Sequence, residues 1–592
     1  MTAKWDLSFI YKGFNDPEIE KELTFAEKTA DELSIKYRGK IQAGDLSSQE
    51  LNTLLHQMEE VSRRLSITSA YSFLLFSQET SNDEFKALYS RMQQKSVEIS
   101  NKLLWARLEI SKMEEEVAKR YLENSEISNY HHLIQVERLK KNYLLSEPEE
   151  QILSQKNLVG ASAWNDFYSE FTAAFKFDVE IEGEIKTYSP GEILPLIRDP
   201  RPEVRKAVFK AYYQKYADNQ IPIAHSFNNI WKNHSQNIKL RHYPATMTTA
   251  HIRNEVEEEI VTTMMNVIRN NYSLVQEYYK TKAKAMGKGE QIEGSDLYAP
   301  LGTDIKYSWE EAKQMVLESF EEFDSEIGSM AKIFFDRNLI DSEVRKTKMT
   351  GAYCYGMDPD LDPVIHMSFN GTTDSVSTLA HEMGHGLHDM FSGRKQTVFN
   401  YNPPLVIAET ASVFGEQILI DKMLKGLPDD ESKLKMLASQ LEDAILTISR
   451  QTMYVFWEKE CHEAGKNLSA QQMCEIWDKH TKEAYGDAVT FLPEQSWNWS
   501  TISHFLDPRI FYCYAYSFGM LFVLGLYQKY LKEGKSFIPK FKSILEAGGS
   551  QFPVDLATSL DLDIRKEEFW QAGFDYLNGL LAEFKKTVDK MD

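Results

Sequence analysis

Cysteine is scarce in this chain. Cys354, Cys461, Cys474 and Cys513 are the only four in 592 residues, no two stand in a CxxC pair, and their spacing builds no disulfide framework. A reducing, cytoplasmic setting is therefore expected. Long apolar runs are missing too. The most apolar stretch, Met520 to Leu526, is far too short to span a bilayer. Met1 to Ile10, with Lys4, Trp5 and Asp6, lacks the basic-then-apolar order of a secretory signal. Positive charge also falls short: 67 Lys and Arg against 89 Asp and Glu leave a net charge of -22. Such a surface repels phosphate backbones and anionic lipid, so neither nucleic acid nor a membrane is an expected partner. Beyond that, the charge reads as plain solubility. No low-complexity run and no repeat of fixed period is present.

What remains has ordinary globular proportions, 42% hydrophobic and 26% charged, and is long enough for roughly two to four domain-sized units. Helical periodicity dominates. Residues 18 to 143 place apolar side chains three and four apart, as in Leu51, Leu54, Leu55, Met58 and Val61. Polar breaks at 43–47 and 81–83 carry cap residues. Ser146-Glu147-Pro148 and Asp199-Pro200-Arg201-Pro202 read as helix starts, with proline in the first turn. Strand signals are few: a hairpin within Ala173 to Thr187 around Glu182-Gly183, and a short strand from Val364 to Phe369 closed by Asn370-Gly371. From Ser375 helix resumes to Lys586, broken at Gly548-Gly549-Ser550. The expected fold is mainly α, with a small sheet near residues 345 to 370.

His381-Glu382-Met383-Gly384-His385 carries the chemistry. At 100° per residue, positions four apart lie on one helix face, so His381 and His385 can offer imidazole nitrogens to one ion. Glu382 stands beside them, able to reach a water on the ion's open side. On the order of a few chains per hundred of this composition would match HExxH by accident, so the motif alone does not decide. Its surroundings add to it. Thr372-Thr373-Asp374 supplies a cap and an acid in the first turn of a helix spanning 375–392. Gly384 and Gly386 inside that helix each cost about 1 kcal/mol relative to alanine, a cost explained if another backbone or a ligand comes close.

Catalytic zinc takes three protein ligands and a water. The metzincin pattern needs a glycine at position 388 and a histidine at 391, where His388 and Phe391 stand. A glutamate from a second helix, expected over 405–424, is the other solution. Glu409, set among Val406, Ile407, Ala408 and Ala411, is the first candidate and Glu416 the fallback. Glu416 or Asp374 could instead fix a histidine ring by accepting from its other nitrogen. His388 is read as structural.

With these residues in view the chain resembles the oligoendopeptidase F branch of the thimet-oligopeptidase family of zinc metallopeptidases. The resemblance rests on Gly351-Ala352-Tyr353-Cys354, on Met367 to Thr372 running into Thr378 to His388, on Glu409-Thr410-Ala411-Ser412 with Glu416 beyond, and on Trp499 to Phe505 followed by Phe511 to Tyr516. Trp5-Asp6-Leu7 and Leu297-Tyr298-Ala299-Pro300 match more weakly. Met383 and Gly386 depart conservatively from the family, and Thr410-Ala411 replaces a frequent proline. The resemblance implies a helical ellipsoid of two halves around a deep channel that admits short peptides and excludes folded proteins, with a small β-sheet beside the zinc-binding helices. It divides the chain into an N-terminal helical region, 1–200, and a catalytic domain, 201–592.

It also implies one Zn2+ per chain, held by His381, His385 and Glu409, and a zinc-bound water activated by Glu382. His504 and Tyr512 become the expected donors to the developing oxyanion. Tyr512 and Tyr516, four apart, should share a helix face, with Tyr514 pointing elsewhere. The strand from Val364 would offer edge hydrogen bonds to an extended peptide, making His366, Ser368 and Tyr516 the expected substrate contacts.

The expected activity is cleavage of internal bonds in short peptides. A metallocarboxypeptidase or dipeptidyl carboxypeptidase of related fold is the near rival, and it needs a cation to clamp the substrate's terminal carboxylate. Arg201, Arg205 and Arg241-His242 have that chemistry, although a solvated face is the plainer reading. A non-catalytic peptide-binding scaffold would have lost Glu382 or a ligand, and a structural zinc protein would carry a fourth ligand, often cysteine. Oligomeric state is not legible.

Overall fold

The computed structural model describes residues 3–302, 305–507 and 509–591. It is 72% helical, which meets the expectation of a mainly α fold. Two compact units divide the chain, each assembled from three segments. One is Met1–Lys141, Asp304–Gly426 and Leu526–Leu562; the other is Asn142–Thr303, Leu427–Gly525 and Asp563–Asp592. These compact units are discontinuous in sequence and do not coincide with the expected regions 1–200 and 201–592. Each unit buries its helix faces against partners hundreds of positions away, which a pass along the sequence cannot reveal.

In the first unit the helices Pro17–Tyr37, Ser48–Gln78 and Asp83–Lys112 pack on one another. The second of these buries Leu51, Leu54, Leu55, Met58, Val61 and Leu65 along one stripe. Its start is fixed by a reciprocal cap between Ser47 and Glu50. Asn82 caps the next helix through its side chain.

A three-stranded sheet lies in the same unit. Val364–His366 is its central strand, parallel to Ile340–Asp341 on one side and antiparallel to Tyr353–Tyr355 on the other. The strand expected from Val364 to Phe369 thus ends earlier as a two-sided strand. Met367 and Phe369 still donate to the carbonyls of Asp341 and Ser342, at 2.9 and 3.0 Å. Both sides of Val364–His366 are taken, so it has no edge to offer a peptide, and Tyr353–Tyr355 is the strand at the sheet's margin.

The second unit holds the expected hairpin, Phe177–Ile181 paired with Glu184–Tyr188. Phe177, Val179 and Ile181 turn inward and the residues between them outward. Glu182 and Gly183 make the turn at φ 55° and 82°, the positive values a two-residue hairpin needs. The core of this unit is aromatic: Trp457, Trp499, Phe227 and Phe505 meet with ring centres 4.7 to 6.4 Å apart. Between the helices Asp430–Ala444 and Gln451–Glu463 lies a π-helical turn, Ile445–Arg450. No helix among the described residues is long and apolar enough to cross a membrane.

Candidate metal centre and active site

The helix carrying the motif runs from Thr373 to Gly393, with Thr372 accepting from the Ser375 amide as its cap. It packs against Thr410–Lys425. Gly384 permits this. A Cβ there would stand 2.4 Å from the Ala411 carbonyl oxygen and 2.5 Å from the Ser412 Cα, so the second helix approaches as closely as bare backbone allows. At Gly386 a Cβ would meet the Phe334 ring at 2.3 Å. Both glycines thus mark close approaches.

The helix expected over 405–424 is broken. Leu405–Ala408 forms one turn, Glu409 leaves the helical region at φ -81°, ψ 3°, and Thr410–Lys425 begins anew. The break frees the Glu409 side chain towards the motif helix. Its Oε2 lies 3.4 Å from Nε2 of both His381 and His385. Donor atoms of these three residues all fall within 4.8 Å of one another, and among the described residues no other such group of three or more His, Cys, Asp or Glu occurs.

Neighbours hold these donors in place. Glu416 accepts from His381 Nδ1 at 3.3 Å and from Ser377 Oγ at 2.6 Å. The His385 ring donates to the Ala408 carbonyl. Each imidazole is thereby turned to present Nε2. Ser412 donates to Glu409 Oε2 at 2.7 Å. Of the two expected acceptors, Glu416 is the one that reaches His381, while Asp374 is exposed in the first helical turn. His388 is buried, lies outside the three-residue group and lines the same cleft.

The carboxylates and imidazoles of the group shift one another, and burial lowers His385 to about 4. Burial raises the Glu409 carboxyl, but the hydrogen bond from His381 and the electrostatic pull of the neighbouring imidazoles hold it at about 2. Burial opposes a charge on His381, and the Glu409 and Glu416 carboxylates override it and raise that group well above its usual value. Two imidazoles and the Glu409 carboxylate make a set of nitrogen and oxygen donors suited to a divalent metal.

Glu382 is only 6% exposed. Burial pushes its carboxyl up to about 7, against the lowering effect of His381 and of a hydrogen bond from the Cys354 backbone. That backbone belongs to the marginal strand Tyr353–Tyr355, which with Gly356, His381, Glu382 and His385 lines a cleft of about 580 Å3. Gly351 to Cys354 forms a motif block in the sequence, but its strand pairing and its place beside Glu382 depend on the fold. His366 is corrected: it is fully buried, stacked 4.8 Å from the Tyr353 ring and bonded through Nε2 to the Met349 carbonyl, out of reach of a substrate. Ser368 is exposed.

His504, Tyr512 and Tyr516 form a cluster of their own in the second unit. His504 Nε2 lies 3.2 Å from Tyr516 Oη, its ring stacks 5.7 Å from that of Tyr512, and the two tyrosines meet edge-on at 5.2 Å. All three are half-buried amid buried neighbours. They do not share a helix face, because the helix begins only at Tyr514. Phe511, at φ 59°, turns the chain so that Tyr512 folds back beside Tyr516. Tyr514 points elsewhere, bonded to Asn254 and the Ala250 carbonyl.

Two packed helices thus bring His381, His385 and Glu409 together, a group that could hold a metal ion, beside the buried Glu382. Residues 196–576 match peptidase family M3 and residues 109–177 match Oligopeptidase F. The chain belongs to peptidase family M3. It is 27% identical to the oligoendopeptidase F homolog of Lactococcus lactis subsp. lactis (strain IL1403), covering 99% of this chain and 97% of that protein. It is 26% identical to the oligopeptidase PepF of Bacillus subtilis (strain 168), over 99% and 87%. The fold is shared with oligoendopeptidase-F from Enterococcus faecium, at a TM-score of 0.71 and 23% identity over 97% and 98% of the two chains. A solved chain from Chlamydophila abortus gives a TM-score of 0.85 at 23% identity, over 99% and 98%.

Proposed function

We propose that this protein is a zinc-dependent endopeptidase that hydrolyses internal bonds of short oligopeptides. The observation that carries the reading is the convergence of His381, His385 and Glu409 beside a buried Glu382 in one cleft. Zinc, when held by those three residues, supplies a Lewis acid that polarises the scissile carbonyl and makes water a nucleophile near neutral pH. Glu382, kept from solvent and adjacent to the ligands, accepts the water's proton and delivers it to the leaving amine. Glu416 and the Ala408 carbonyl keep the two imidazoles in register. An extended peptide adds to the marginal strand Tyr353–Tyr355, whose backbone already faces Glu382. His504 and Tyr512 serve as hydrogen-bond donors to the oxyanion, on the chemistry of their cluster. Ser368 and Tyr516 are carried as substrate contacts.

The test is direct. Wild type and Glu382→Ala are purified, bound zinc is measured, and cleavage of a mixed peptide library is followed by mass spectrometry. Zinc in both proteins, with internal cleavage in the wild type only, is expected. An active variant would sink the role of Glu382. An inactive wild type would sink the function, and release confined to C-terminal residues would favour the carboxypeptidase rival.

A further inference from the structure

Asp389 stands one helical turn beyond His385, on the face of the Thr373–Gly393 helix that carries both histidines. It is half-buried and lines the same cleft as they do. The lining holds three carboxylates, of Glu382, Asp389 and Glu409, and no lysine or arginine. Glu382 and Glu409 have parts in the chemistry proposed above, and Asp389 has none. Among the described residues its side chain makes no hydrogen bond or ion pair, and burial alone pushes its carboxyl up to about 7. Buried acids elsewhere in this unit are matched. Asp341 pairs with Arg345 and Lys348, Asp358 pairs with Arg63, and Glu59 accepts from the Tyr130 hydroxyl.

A second polar group converges on the same place. A Cβ at Gly356 would stand 2.4 Å from Asp389 Oδ2 and 2.6 Å from the Tyr401 hydroxyl oxygen, so only bare backbone lets both oxygens come in beside the marginal strand. Tyr401 is 2% exposed, and its hydroxyl has no partner. Burial and the Asp389 carboxylate keep that hydroxyl protonated. A buried hydroxyl left unpaired is costly, which points to a group supplied from outside the chain. The register is set by the strand. The Cys354 backbone bonds Glu382, and Gly356, two residues on, meets Asp389. A peptide laid along Tyr353–Tyr355 keeps step with it, at about 3.3 Å per residue. With its scissile bond at Glu382, it brings a residue about two positions away beside Asp389. A carboxylate and a hydroxyl oxygen in a cleft lined by no lysine or arginine match the donors of an ammonium or a guanidinium and disfavour an anion. The cation belongs to a side chain, because a terminal ammonium there would confine cleavage to the start of the peptide, against the internal cleavage proposed above.

We propose that Asp389, with the Tyr401 hydroxyl, binds the side chain of a lysine or arginine about two residues from the scissile bond and so gives a preference for basic peptides. This deepens the peptidase reading and rests on it.

The test uses the zinc-loaded protein and octapeptides in which one position in turn holds arginine, citrulline or glutamate, each with a free and with an acetylated N-terminus. Citrulline keeps the shape of arginine and removes its charge. Binding is read by calorimetry on Glu382→Gln, and cleavage by wild type with the products sited by mass spectrometry. Failure of the peptidase reading then shows as no cleavage of any peptide, and failure of the cation site as equal binding. At the recognised position arginine should bind about tenfold more tightly than citrulline, and glutamate more weakly than either, with the same order in KM. Asp389→Asn should abolish the preference for arginine over citrulline, Asp389→Glu should keep part of it, and Tyr401→Phe should shrink it. Equal binding of arginine and citrulline at every position overturns the proposal. So does a preference that survives Asp389→Asn, or one that follows only the free N-terminus. If Asp389→Asn does not fold, Tyr401→Phe decides, and an undiminished preference there overturns the proposal.

Discussion

His381 and His385 stand four residues apart on one unbroken helix, whereas His504, Tyr512 and Tyr516 meet through a 3-10 turn, a left-handed Phe511 and the first turn of another helix. In the first cluster the helix repeat alone brings the donors together, and glycine lets the second helix bring Glu409 to them. In the second, proximity depends on irregular backbone that no repeat describes. A site built on a regular element can be read from spacing. One built on a turn shows only as a suggestive composition, and the spacing of Tyr512 and Tyr516 led to a correct contact for a wrong geometric reason.

The two clusters should respond differently to substitution. Glu382→Gln should retain zinc and lower kcat by about 10²- to 10⁴-fold, the range for a lost general base, checked by steady-state kinetics and metal analysis. Tyr512→Phe should lower kcat by about 10²- to 10³-fold if its hydroxyl meets the oxyanion. Tyr514→Phe should leave kcat unchanged while costing about 1 kcal/mol in denaturant unfolding, because its hydroxyl bonds Asn254. Equal kcat for the two phenylalanine variants would remove Tyr512 from the mechanism. Glu416→Gln should weaken zinc binding by about 10- to 100-fold in chelator competition, because Glu416 orients His381. An unchanged affinity would reduce Glu416 to a packing residue.

Gly384→Ala should destabilise by about 1 to 3 kcal/mol, since the added methyl meets the Ala411 backbone, which cannot move as a side chain can. A normal melting curve would show that the helix pair is looser than its spacing. The smallest effect per measured step concerns pH. Glu458 accepts from the Phe511 amide at 3.1 Å and so supports the turn of the second cluster. Burial raises its carboxyl to about 8, opposed by that bond and by Arg253. Its folded pKa thus exceeds its unfolded one, and the folded state holds a proton that the unfolded state releases. Stability should fall as pH rises from about 4.5 to about 8, by at most about 1.4 kcal/mol per unit. Glu458→Gln should flatten that slope in unfolding experiments across this range, and an unchanged slope would show that Glu458 does not set it.

Local chemistry determined most of the first cluster. The stripe Leu51 to Leu65, the caps at Ser47 and Asn82, the turn at Glu182-Gly183 and the HExxH helix all follow from interactions within a few residues, so the sequence specifies them alone. It also singled out Gly384 and Glu409 as costly choices needing a reason: a helix glycine and a carboxylate among apolar neighbours. The reasons themselves are tertiary. Which backbone meets Gly384, where the helix breaks to release Glu409, and which strands pair with Val364–His366 all depend on contacts between distant segments. Such contacts arise from the packing of whole helices, whose partners no local pattern names. For that reason the candidate metal ligands were legible residue by residue, while the strand beside them emerged only from the folded chain.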